Sequence, residues 1–84
     1  MPRVYFHSVA SSVTANDLEK YFSRAGKVRG VLLLTDKSSG KSRRFGCVDM
    51  ERIDDALYAI KSLDPADIKG KQIQIDQVPP REVE

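Results

Sequence analysis

Eighty-four residues are enough for one small domain with a single core and too few for two. The apolar runs, Val31 to Leu34 among them, are far too short for a membrane-spanning helix or a signal-peptide core. One cysteine and one histidine exclude an internal disulfide and a structural zinc site, so the fold is expected to stand on its core in a reducing compartment.

The net charge of +2 says little about partners, but its distribution says more. Residues 37–44 carry Lys37, Lys41, Arg43 and Arg44 and no acid, whereas Glu51, Asp54 and Asp55 gather just ahead of an apolar periodicity. Carboxylates in that place favour a helix N-terminus, which accounts for them without a ligand.

In chain order, residues 4–9 are β-branched, aromatic and apolar and predict a strand. Thr14 followed by Asp17 reads as an N-cap with an acid three residues on, opening a helix with Leu18, Tyr21, Phe22 and Ala25 on its apolar side, stopped by Gly26. Val28 to Thr35 predicts a second strand and Asp36 to Ser42 a polar loop. Phe45 to Met50 predicts a third strand. Ile53, Ala56, Leu57, Ile60 and Leu63 line one face of a second helix, which Asp64-Pro65 ends. Ile73 and Ile75, with Val78 beyond them, alternate with Gln72, Gln74 and Asp76 as a half-buried fourth strand. Pro79-Pro80 should terminate pairing and leave residues 79–84 as a short frayed tail.

The order βαββαβ is the split-βαβ, ferredoxin-like arrangement: an α+β fold with a four-stranded antiparallel sheet and two helices on one face. The other face is then open. Side chains alternate across a strand, so with Val4, Phe6 and Val9 turned to the helices, Tyr5 and His7 face outward. By the same count Arg43, Phe45, Cys47 and Asp49 point outward from the third strand, and Gln74 and Asp76 from the fourth. Leu32 and Leu34 fall on the open side too.

Arg43-Arg44-Phe45-Gly46-Cys47-Val48-Asp49-Met50 resembles the octapeptide signature of the RNA recognition motif, [KR]-G-[FY]-[GA]-F-V-x-[FY]. The leading base, first aromatic, small residue and valine match. Arg44, Cys47 and Met50 depart from it. Val4-Tyr5-Phe6-His7-Ser8-Val9 is similar to the family's N-terminal hexapeptide. Thr14, Leu18, Phe22, Gly26 and Val28, then Ala56, Ile60, Leu63 and residues 70–75, fall where the family's helices and last strand do. The resemblance covers residues 3–78, taken as one domain.

The resemblance implies non-catalytic binding of single-stranded RNA, with no cofactor and no metal. Bases would stack on Tyr5 and Phe45, and Arg43 holds the family's phosphate-pairing basic position. Lys41 and Arg44 lie on or beside a loop the family uses to clamp RNA, and His7, Gln74, Asp76 and Gln77 are candidates for base contacts. Cys47 stands at an aromatic position of the family and offers less contact area. An intracellular setting is implied, with the cytoplasm favoured over nucleus or organelle. An alternative stays open: a protein-interaction or self-association module of the same fold, using an apolar patch of Leu32, Leu34 and Cys47. An enzyme is disfavoured, because Cys47 has no identifiable acid–base partner and residues 8–13 lack the arginine and glycine of a phosphate loop.

Overall fold

The computed structural model describes residues 1–36, 43–63 and 66–82. Its elements are β1 (Pro2–Val9), α1 (Ala15–Phe22), β2 (Val28–Asp36), β3 (Arg43–Met50), α2 (Ile53–Ser62), β4 (Ala66–Ile68), β5 (Lys71–Ile75) and β6 (Arg81–Glu82). The strand order is β2-β3-β1-β5-β4, every pairing is antiparallel, and β6 lies beside the start of β1. This is the expected ferredoxin-like βαββαβ sheet with short additions.

Two of those additions were not anticipated. Ala66–Ile68 forms a hairpin with Lys71–Ile73, closed by Lys69 and Gly70 at φ 54° and 75°. Positive φ at both central positions is the type I′ geometry that matches strand twist. Arg81 and Glu82, expected to fray, pair with Arg3 and Pro2. β5 already ends at Ile75, and Pro79-Pro80 do not prevent the chain from rejoining β1.

The core lies between the sheet and the helices. Val4, Phe6 and Val9 of β1, Val48 and Met50 of β3, and Ile73 and Ile75 of β5 meet Leu18 and Phe22 of α1 and Ala56, Ala59 and Ile60 of α2. The Phe6 and Phe22 rings stack at 6.1 Å. Gly46 pairs with Phe6 and must be glycine: a Cβ there would run into the Leu32 carbonyl and crowd the Phe6 ring.

The first helix begins as its residues dictate, whereas α2 starts after Arg52 with no side-chain cap. Thr14 Oγ1 accepts from the Asp17 amide at 3.2 Å and Asp17 Oδ2 accepts from the Thr14 amide at 3.0 Å, a complete capping box. The helix ends at Phe22, earlier than Gly26, with the Ser23 hydroxyl donating to the Glu19 carbonyl at 2.6 Å. Gly26 serves close approach instead, since a Cβ there would meet the Asp55 side chain. α2 is rotated from the expected phase. Its buried positions are Ala56, Ala59, Ile60 and, just past its end, Leu63, while Ile53 and Leu57 are exposed. Small Ala59 lets the helix sit close to the sheet, and that spacing is as helical as the one with Leu57.

Candidate nucleic-acid interface

Strand register sets the open face in cross-strand rows. In the first, Gln74, His7, Phe45 and Leu34 lie side by side on β5, β1, β3 and β2. In the second, Tyr5, Cys47 and Leu32 are neighbours, and the Asp76 amide donates to the Tyr5 carbonyl at 2.9 Å. The third holds Arg81, Arg3, Asp49 and Gly30. Beyond His7 the first strand bulges at Ser8, which takes φ 63° and shifts the register before Val9.

Tyr5 and Phe45 are therefore diagonal neighbours, not an opposed pair, because Tyr5 faces Cys47 and Phe45 faces His7. Phe45 is 39% exposed and Tyr5 half-buried, and neither belongs to the core cluster. The His7 ring is tethered at both nitrogens: Nδ1 donates to Asp76 Oδ1 at 2.8 Å, and Nε2 stands 3.0 Å from Gln74 Oε1. These contacts hold three of the expected base-contact residues as one polar cluster next to Phe45. With both ring nitrogens engaged inside the cluster, His7 has its ring face left for a ligand.

Three residues are placed differently from the expectation. Cys47 lies on the outward side of β3 yet is only 4% exposed, because its small side chain sits between the larger Tyr5 and Leu32 in the same row. It adds nothing to an accessible apolar patch. Burial also pushes the thiol above its ordinary pKa, more than the Arg3 charge pulls it down. Leu32 and Leu34, in contrast, are 50% and 44% exposed.

Arg44 turns away from the rings. Its Nη1 donates to the carbonyls of Val13 at 2.6 Å and of Ala10 and Ser11 at 2.9 Å each, pinning the segment between β1 and α1. That guanidinium is a structural tie through its Nη1. Gln77 also leaves the face: its amide donates to the Ile60 carbonyl of α2 at 3.0 Å and to the Ile75 carbonyl at 3.2 Å. Arg43 has its backbone in β3, opposite Asp36, and Lys37 and Lys41 fall outside the described residues.

One pair was missed by sequence reasoning. Arg3 Nε donates to Asp49 Oδ1 at 2.7 Å and Nη2 to Oδ2 at 3.1 Å, a two-pronged pair across β1 and β3. The Asp49 carboxylate holds the guanidinium even more firmly protonated than usual. Alternation could place each residue outward, but only the register brings them together.

The sequence profile of the RNA recognition motif matches residues 4–74. The chain belongs to the RNA recognition motif family. RbpE of Nostoc sp., named as an RNA-binding protein, is 39% identical over 79 residues, covering 94% of this chain and 80% of its own length. The chloroplastic RNA-binding protein CP29B of Arabidopsis thaliana is 39% identical over 82 residues; the match takes 94% of this chain but 28% of that protein. The crystal structure of RNA binding protein PG1 is similar with a TM-score of 0.76 at 28% identity, covering 99% of this chain and 100% of the other. The RRM3 domain of Mip6 shares the fold at a TM-score of 0.77 and 18% identity, over 94% of this chain and 91% of that one. Within the RNA recognition motif frame, the departures at Arg44 and Cys47 have local causes in this chain: one ties a loop, the other is covered by its neighbours.

Proposed function

We propose that this RNA recognition motif binds single-stranded RNA on its open sheet face and carries out no chemistry on it. One observation supports this most: two aromatic side chains, Tyr5 and Phe45, lie outside the core on adjacent central strands of a face the helices leave uncovered. Bases stack on such rings for roughly 1–3 kcal/mol each. Unpaired bases are needed for this, so a duplex is a poor ligand. His7 offers its ring face beside Phe45, Gln74 and Asp76 hold that ring and border the bases, and Arg43 with Lys41 supplies phosphate contacts from the basic segment. Cys47 contributes through the floor of the platform. The relatives' names, RNA-binding proteins of cyanobacteria and chloroplasts among them, agree with RNA as the partner and an intracellular setting; among the described residues no helix is long and apolar enough to cross a membrane.

A second reading has its own observation. Leu32 and Leu34 are about half exposed on the same face, which suits a protein surface or a second copy. Amide-shift titration with short single-stranded RNA pools separates the two. The RNA reading expects shifts centred on Tyr5, His7, Phe45 and Gln74, and far smaller ones with the same sequences as duplex. Shifts absent at Tyr5 and Phe45 would remove sheet-face binding.

A further inference from the structure

The two edges of the sheet are built differently. β4, at one edge, has three residues. β2, at the other, has nine, and among the described residues no strand pairs with its outer side. A long edge is a template for another strand, and proteins blunt it with lysine, proline or a bulge. The register shift of β2 lies between Val28 and Gly30, near its start. Beyond it, Val31-Leu32-Leu33-Leu34-Thr35 carries no charge and no proline. Leu32 and Leu34 are about half exposed on the open face, and Val31 and Leu33 are only partly buried against the core.

The ladder fixes which backbone groups that edge presents. Antiparallel strands bond between directly opposite residues, and the direction of N–H and C=O alternates along each strand. The Asp76 amide donates to the Tyr5 carbonyl, so Tyr5 turns its backbone to the β5 side. Val4 and Phe6 then turn to β3, opposite Val48 and Gly46. Phe45, Cys47 and Asp49 turn to β2, opposite Leu34, Leu32 and Gly30. Val31, Leu33 and Thr35 are left presenting their N–H and C=O groups outward. The Leu32 carbonyl agrees, for it lies on the β3 side, against the place a Gly46 Cβ would take.

We propose that β2 pairs with β2 of a second copy of this chain, antiparallel, with the twofold axis at Leu33. The proposal deepens the reading of Leu32 and Leu34 as a protein surface, rests on it, and is independent of RNA binding. Leu33 bonds its own counterpart through N–H and C=O, and Val31 bonds Thr35 of the second copy, twice by symmetry. At the alternate positions Leu32 of each copy faces Leu34 of the other, where side chains approach most closely. The segment reads nearly alike in both directions, a β-branched residue at each end and leucines between, so its best-matched partner is itself. No like charges oppose one another within it. The axis stands normal to the sheet, and the two open faces lie on one side of a continuous sheet.

The test is native-state amide hydrogen exchange at low and high protein concentration, with sedimentation velocity alongside. At low concentration the Leu32 and Leu34 amides, bonded within the sheet, should be protected and those of Val31, Leu33 and Thr35 open. At high concentration the chain should sediment at two-chain mass and the three open amides should gain protection. Thr35→Pro removes an outward N–H, where an edge strand tolerates proline, so it should melt as wild type does and stay monomeric. Leu34→Pro, one residue away, removes a bond to β3 and should instead destabilise the fold. A folded Thr35→Pro that dimerises like wild type overturns the register. A dimer whose Val31, Leu33 and Thr35 amides stay open overturns the strand pairing; its loss in Leu32→Ser, Leu34→Ser would still leave those leucines as a protein surface. A chain that stays monomeric at high concentration overturns the pairing outright.

Discussion

Removing the Arg44 guanidinium would leave the carbonyls of Ala10, Ser11 and Val13 without the donor they share. Hydrogen bonds to charged groups contribute about 1.5–3 kcal/mol, so Arg44→Ala should lower unfolding stability by about that much in urea titration. Its neighbour Arg43 should behave oppositely. Arg43→Gln should leave stability level and flatten the dependence of log affinity on log salt by about 0.7, one phosphate contact on a single strand. Cys47 makes a third case. Its burial and raised pKa both suppress the thiolate, the reactive form. A thiol reagent at neutral pH should modify the native protein much more slowly than the urea-unfolded chain; equal rates would contradict the packing of that row.

At the scale of elements, the helix starts carry the clearest local signals. Thr14→Ala removes half of the capping box and should cost about 1 kcal/mol, measured by thermal or urea unfolding. Asp17 adds a pH dependence. The Thr14 backbone amide, and after it the Lys69 ammonium 3.0 Å away, hold its carboxyl below the ordinary aspartate value. A depressed folded-state pKa means stability that is complete above the unfolded pKa and lost as pH falls through the folded one. The Asp17→Asn variant should therefore lose less stability than wild type between mildly and strongly acidic pH. Such signals were legible because a cap involves residues three apart. The face of α2 was not, since Leu57 and Ala59 both fit a helical period and only packing distance to the sheet chooses alanine. β4 and β6 escaped for a related reason: three residues and two residues carry no periodicity, and their partners lie elsewhere in the chain. Alternation did put Tyr5, His7, Phe45 and Gln74 on one face, but whether Arg44 and Gln77 turn to helix-side carbonyls depends on contacts that spacing does not encode.

Over the whole molecule, the sheet separates two kinds of work. One face packs Phe6, Val48 and Ile73 against the helices; the other presents rings, a tethered imidazole cluster and a fixed ion pair to solvent. Leucines at the β2 edge supply the competing use, and sedimentation at high concentration addresses it: a strict monomer removes self-association, whereas a dimer lost in Leu32→Ser, Leu34→Ser would assign those residues to protein contact. The central claim is that bases stack on Tyr5 and Phe45, and the most direct measurement is the single-stranded RNA affinity of the Tyr5→Ala, Phe45→Ala double variant against wild type, with unfolding followed in parallel. Neither ring is in the core, so the variant should remain folded, and each ring should account for roughly 1–3 kcal/mol of binding. A folded double variant with unchanged Kd would contradict the account.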